Sequence, residues 1–185
     1  MRKRLRGALI TLLPVLFCLA AIGLAGAAWR AESANRTVRA LRNHDDVAVG
    51  LDAPPAALFA RIEFLSALGR LDEIQPFLEA LDKSGSPHDR ADAHYDYANA
   101  RLRQALDDLG ADKMDAAGPS VILARQEYRL ALTLMPGHWD AKFNLDVASR
   151  LIRDFPAFER TTGDTVKTDR KKIWTDLPGK PKGLP

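Results

Sequence analysis

Residues 8–29 form an unbroken run of 22 positions without a charged side chain, preceded by Arg2, Lys3, Arg4 and Arg6. A helix rises about 1.5 Å per residue, so the run covers about 33 Å, enough for the hydrocarbon core of a bilayer. The expectation is an uncleaved transmembrane anchor. A cleaved signal peptide is the alternative, because Ala25, Gly26 and Ala27 make a small-residue A-x-A site, although signal-peptide cores run only about 7 to 15 residues. Phe17 before Cys18 is too bulky for a lipidation site. Arg30, Arg36, Arg39 and Arg42 beyond the span nearly balance the basic start. The compactness of the N-terminal cluster favours N-terminus inside, hence an inner-membrane, single-pass protein with its C-terminal domain in the periplasm.

Charge is distributed to match. The 185 residues hold 27 Lys and Arg against 24 Asp and Glu, with a pI near 9.1. The positive excess lies at the two ends: residues 29–160 carry 17 basic and 21 acidic side chains, a net of −4, and residues 161–185 carry +3. A phosphate-binding face needs a basic patch, so no nucleic-acid partner is expected. The basic run Arg170, Lys171 and Lys172 with Trp174 suits a solvated linker, or a lipid or protein contact. The length allows one domain of about 100 to 150 residues plus extensions. The divisions expected are a cytoplasmic basic segment at 1–7, the anchor at 8–29, a juxtamembrane helix at 30–50, a helical domain at 51–156, and a flexible Pro/Gly/basic tail at 157–185. Cys18 is the single cysteine, which excludes an internal disulfide.

Within the domain, apolar residues recur at three- and four-residue steps, the period of one helical face. Leu58, Ile62, Leu65 and Leu68 predict a helix from Pro54 and Pro55 to Gly69, and Ile74, Phe77, Leu78 and Leu81 predict another over 71–83. Ser86, Pro87 and Asp89 give the next helix an N-cap, a first-turn proline and an S-x-x-D box. Ala91, Tyr95, Ala98, Leu102, Leu106 and Leu109 continue one face as far as Gly110. Residues 110–119 are expected to form a loop, with Ser120 capping a helix marked by Val121, Ala124, Tyr128, Ala131 and Met135. The last helix, 139–154, ends before Pro156. No run alternates as a strand would, so the expected fold class is all-α.

Ala124, Tyr128, Ala131 and Pro136 fit the second helix of a tetratricopeptide repeat, which asks for small, aromatic, small and proline residues at fixed places in about 34 positions. Trp139, Asp140, Ala141, Lys142, Phe143, Asn144 and Leu145 look like the opening of a following repeat, and Leu65, Gly69 and Ile74 fit a weaker earlier copy. Ala98 and Ala124 are 26 positions apart where the repeat expects about 12; the excess is assigned to the 110–119 loop. The fold expected is therefore an N-terminal transmembrane helix followed by tetratricopeptide-like helical hairpins, with an irregular helical bundle as the alternative. The segment HWDAKFNLDVASRLIRDFP, residues 138–156, resembles the tetratricopeptide-like proteins encoded beside von Willebrand A-type and MoxR-type ATPase partners in bacteria. With one N-terminal span and a Pro-rich basic tail, the chain is similar to the MxaK-type accessory proteins of methanol-oxidation clusters. That resemblance implies a membrane-anchored periplasmic factor, with methanol dehydrogenase or other accessory proteins of the cluster as partners, that assists calcium insertion during maturation of the enzyme.

Catalytic and metal patterns were sought in the residues themselves. His44, His88, His94 and His138 include no pair three or four apart, and no G-x-S-x-G, Walker loop or catalytic cysteine is present. The chain is expected not to be an enzyme and to carry no cofactor or metal. Asp107, Asp108, Asp112 and Asp115 offer oxygen ligands without EF-hand spacing or its closing Glu; they are expected as a solvated helix end, with calcium delivery as the alternative. Asp89, Asp92 and Asp96 share a helical face that could gather a cation, or lie exposed with Arg90 and Arg101 near enough to answer them. Stacked hairpins expose a groove lined by the first helix of each pair. Its candidate residues are Tyr95, Asn99, Lys142, Asn144 and Arg150, while Trp139, Phe143, Ala98 and Ala131 are expected in the core. A general envelope adaptor, for instance in cytochrome maturation, would share this architecture.

Overall fold

The computed structural model describes residues 2–156 and Phe158, with side chains at Leu12 and from Pro14 onward. The tail expected at 157–185 lies, Phe158 apart, outside the described residues. Among those described there are six α-helices, one 3₁₀ turn and no strand.

The first helix, α1 (Arg2–Arg42), is continuous through the basic start, the apolar run and the polar segment after it. Its apolar stretch presents Leu16, Phe17, Ile22 and Leu24 to the outside and is long and apolar enough to cross a membrane. The juxtamembrane helix expected over 30–50 ends at Arg42 instead. Its stop uses no glycine: His44 takes a positive φ of 67°, the His44 N–H donates to the Leu41 carbonyl at 3.0 Å, and the Asp45 N–H donates to the Ala40 carbonyl at 3.0 Å. These paired bonds satisfy carbonyls that the helix end leaves open.

Residues 43–54 form a strap over the next helix, α2 (Pro55–Ala67). Buried Arg61 of α2 donates to the Asp46 carboxylate and to the Val47 carbonyl at 3.3 Å. Arg70 bridges Asp46 at 2.6 Å and Glu73 at 2.7 Å. The strap also places Val47, Val49 and Ala53 against a core that already includes Leu41 and Val38. Tertiary packing thus begins near residue 38, upstream of the boundary expected at 51.

After Gly69, whose φ of 69° suits the stop that the sequence predicts, a 3₁₀ turn at Leu71–Glu73 leads into α3 (Gln75–Ser84). Proline in the first turn of α3 divides what periodicity reads as one helix over 71–83, because the ring cannot follow a preceding helical turn. Next comes α4 (Pro87–Gly110), started as predicted: the Ser86 hydroxyl accepts from the Asp89 N–H at 3.1 Å.

α4 carries two apolar seams. Ala93, Tyr97 and Ala100 enter one core with Leu58, Ile62, Leu65, Ile74, Leu78 and Leu81. Ala98, Leu102 and Ala105 enter a second core with Val121, Ala124, Tyr128, Ala131, Ala148 and Ile152. Both sets step by four and then three residues, so each is one helical face. Leu106, expected on the buried face, is 47% exposed because it falls just past the outer edge of the second seam.

The loop expected at 110–119 is largely helical. α5 (Met114–Leu134) begins after only three residues, and Pro119 lies within it. Proline removes one hydrogen bond near the helix start, where the freed carbonyl belongs to exposed Asp115 and is open to water. Ser120, expected as an N-cap, is buried inside the helix, and its hydroxyl faces the Gln104 amide oxygen at 3.4 Å. The additional residues between Ala98 and Ala124 therefore lengthen the α4–α5 pair rather than forming a loop.

The last helix, α6 (Trp139–Asp154), buries Ala141, Ala148 and Ile152. Ala98 and Ala131 are fully buried, whereas Trp139 and Phe143 are 75% and 64% exposed. The expectation that both aromatics are core is thus corrected: among the described helices α6 packs on α4 and α5, and these two side chains project from its exposed side. Phe158 returns to the core, stacked on Phe155 at 5.3 Å and pressed against Gly118 of α5. In space, α2, α4 and α6 neighbour one another in that order; α3 packs against α2 and α4, and α5 against α4 and α6.

Candidate functional site

The five groove candidates divide. Asn99 of α4 and Asn144 of α6 are brought together: the Asn99 amide oxygen accepts from the Asn144 amide at 2.8 Å and from the Tyr128 hydroxyl at 2.6 Å. Burial raises the Tyr128 hydroxyl well above its ordinary pKa, so it stays a neutral donor to Asn99. This ladder ties α5, α4 and α6 together and occupies the groups that were expected to meet a partner. Tyr95 is half-buried against the Tyr128 ring at 6.1 Å and the His138 ring at 4.5 Å.

Lys142 and Arg150 fall elsewhere. Two residues along a helix is a rotation of about 200°, so Lys142 projects from the side of α6 opposite Asn144. It is exposed, and Arg150 pairs with Asp146 on its own helix at 2.8 Å. Lys142 and Arg150 therefore project from other sides of α6 than Asn144.

The row Asp89, Asp92 and Asp96 is resolved individually. Asp89 accepts from the Ser86 hydroxyl at 2.8 Å. Asp92 faces His88 at 3.0 Å and His138 at 3.6 Å. The arginines expected to answer the row are engaged elsewhere: Arg90 holds Asp82 at 3.0 Å, and Arg101 holds the Tyr97 hydroxyl at 2.9 Å and Asp72 at 3.2 Å. Asp96 has no hydrogen bond or ion pair among the described residues.

Asp96 lies in a recess of about 220 Å³ between α2 and α4, lined by Glu63, Ser66, Ala67, Asp96, Asn99 and Arg103. The spacings 63, 66, 67 and 96, 99, 103 each trace one helical face, so two helices side by side suffice to build it. Burial, assisted by the charges of Glu63 and Asp92, pushes the Asp96 carboxyl up to about 6, with Arg103 opposing. Burial likewise raises Glu63, which Arg42 offsets and Asp92 reinforces. Ser66 is 7% exposed, and its hydroxyl has no hydrogen-bond partner among the described residues.

Another buried polar group escaped the sequence reading altogether. His94 of α4 lies between Glu127 of α5 at 2.6 Å and Asp82 of α3 at 3.2 Å. Burial opposes its protonation, but the two carboxylates prevail and its pKa is raised. A signal for Glu63 and Ser66 did exist, since with Arg61 they are the only polar residues in α2. Nothing in the local pattern joins His94 to a glutamate 33 positions away.

Asp107, Asp108, Asp112 and Asp115 do not assemble a ligand set; among the described residues no three His, Cys, Asp or Glu side chains come together to hold a metal. Compared with known proteins, the chain matches no family model, and no curated sequence or solved structure is significantly similar to it.

Proposed function

We propose that this chain is a membrane-anchored adaptor that acts by protein contacts rather than by catalysis. In this reading α2 with α3 and α4 with α5 are two tetratricopeptide-like hairpins, α6 opens a third, and α2, α4 and α6 present the docking face on the periplasmic side of the inner membrane. The observation that carries the proposal is the α2–α4 recess, where polar groups without partners line adjacent helices of an array attached to an apolar helix. Unpaired buried polar groups destabilise a fold, and a partner that pairs with them recovers that free energy on binding.

The resemblance of residues 138–156 to MxaK-type proteins supports a narrower reading, in which the partners are methanol dehydrogenase or other accessory proteins of its cluster and the contacts serve calcium insertion into the enzyme. Deleting the chain in a methylotrophic bacterium should then leave methanol dehydrogenase depleted of calcium. Normal enzyme activity and metal content in the deletion strain would overturn this reading. A reporter fused to the C-terminus, active only when exported, tests the orientation.

A further inference from the structure

We propose that the end of the domain nearest the anchor rests on the lipid bilayer, with the turn at residues 50–53 seated among the headgroups and Leu51 as its apolar contact. The inference rests on the reading of α1 as a membrane anchor and adds which face of the domain meets lipid.

Helix continuity fixes the distance between domain and membrane. α1 runs without a break from the apolar stretch to Arg42, and its Val38 and Leu41 already belong to the first core. Trp29 closes the uncharged run, and tryptophan favours the border between hydrocarbon and headgroups. Val38 follows nine positions later, about 14 Å along the helix, and a tilt of about 20° shortens that rise by only about 1 Å. No flexible linker lies between the two, so the packed domain is held close above a headgroup layer about 5 to 8 Å deep.

Packing decides which parts lie lowest. Trp29, Ser33 and Thr37 of α1 share a groove with Gly50, Asp52 and Pro54 of the strap, and Ser84 at the end of α3 also reaches it. Those three α1 residues cover about the first 12 Å above the hydrocarbon border. At the other end of α2, Ala67 and Leu68 share a hollow with Leu41, Arg42 and His44. The strap therefore descends beside α1 and α2 climbs back, which leaves the 50–53 turn and the α3–α4 junction at headgroup height.

The turn is held closed and presents one large apolar side chain. The Ala53 N–H donates to the Gly50 carbonyl at 3.1 Å, the bond that closes a β-turn, and Leu51 at its second position is 54% exposed. Turn tips that face water are ordinarily polar; a leucine there gains by leaving water for the interface. Arg30 and Lys83 stand at this end with Asp52 and Glu79. These charges balance, so the contact does not require an anionic lipid.

The test attaches a nitroxide to the full chain in phosphatidylcholine nanodiscs, in a Cys18→Ser background that removes the chain's own thiol. Labels go at Leu51→Cys and Ser84→Cys on the membrane-facing end, at Ile22→Cys in the apolar run, and at Lys113→Cys in the α4–α5 turn. All four positions are exposed, so the fold accepts the label. Electron paramagnetic resonance power saturation measures collision with a water-soluble nickel chelate. Chelate access at 51 should be at least fivefold lower than at 113, at 84 at least twofold lower, and at 22 the lowest of the four. If 22 is shielded while 51 and 113 are equally accessible, the proposal is overturned and the anchor stands. If 22 is as accessible as 113, the anchor reading itself fails and the proposal with it. Shielding of 51 that appears only when phosphatidylglycerol is added would show electrostatic attraction in place of the apolar contact, and it too overturns the proposal.

Discussion

Replacing Asp96 by Asn should stabilise the domain, and the gain should depend on pH in a specific way. In the unfolded chain an Asp titrates near 3.8; in the fold burial pushes Asp96 up to about 6. Between those values the folded state keeps a proton that the unfolded state has released, so stability falls as pH rises through the interval and the full penalty is present above it. At about 1.4 kcal/mol per pH unit, the interval sets an upper limit of about 3 kcal/mol. Asp96 is only half-buried, so solvent screening reduces this to about 1–2 kcal/mol. The Asn side chain keeps the shape and removes the charge. Urea unfolding of the detergent-solubilised chain, followed by far-UV circular dichroism at pH 4 and pH 7.5, measures the difference. The variant should match the natural chain at the lower pH and exceed it by about 1–2 kcal/mol at the higher, a rise in melting temperature of roughly 4 °C per kcal/mol. A loss of stability at pH 7.5 would show that the carboxylate has a partner, and an equal gain at both pH values would show that its charge is irrelevant; either result refutes the reasoning.

Other perturbations test the remaining parts of the fold. His94→Ala leaves Glu127 buried without a counter-charge and should cost about 3 kcal/mol, whereas the double variant His94→Leu with Glu127→Leu should recover much of that loss in chemical denaturation. Because the folded pKa of His94 is raised, its contribution is present in full below the unfolded value near 6.5 and fades as pH rises through the folded value. The natural chain should therefore lose stability as pH rises above about 6.5, more steeply than the His94→Ala variant. Phe158→Ala should cost about 3 kcal/mol, since it empties a fully buried site; Gly118→Ala should also destabilise, because its Cβ would meet the Phe158 ring at 3.1 Å, and thermal melts of both variants decide. His44→Gly and Asp112→Gly replace residues held at positive φ and should each stabilise by about 0.5–1 kcal/mol in the same melts.

Helix stops show where sequence reasoning reaches its limit. Gly69 is both the predicted and the actual left-handed residue after α2. The pattern predicts helix ends at residue 50 and at Gly110, but the chain turns at His44 and Asp112, and Gly110 remains helical. Glycine is the commonest solution because it lacks a Cβ, yet Asp and His tolerate the same conformation when the surrounding bonds fix it. The Lys113 N–H to the Asp108 carbonyl at 2.8 Å is such a bond. Likewise Pro119 suggested a boundary, and burial of Ala117, Gly118, Ser120 and Val121 against neighbouring elements carried the helix through it.

What the sequence determined by itself was whatever repeats within a few residues: the all-helical class, the apolar N-terminal run, the cap formed by Ser86 and Asp89, and the small residues Ala98, Ala124 and Ala131 at close helix contacts. Those follow from backbone periodicity and end chemistry, which are local. Tertiary structure alone decided which side of each helix is covered. It joined Asn99 to Asn144, left Trp139 and Phe143 uncovered, gave Asp92 two histidines and Asp96 none, and buried Ser66 beside the recess between α2 and α4. A periodic pattern reports that a helix has a face, but the partner of a charge is fixed by distances between helices far apart in the chain, and it is those distances that made a recess out of residues the pattern treats as ordinary.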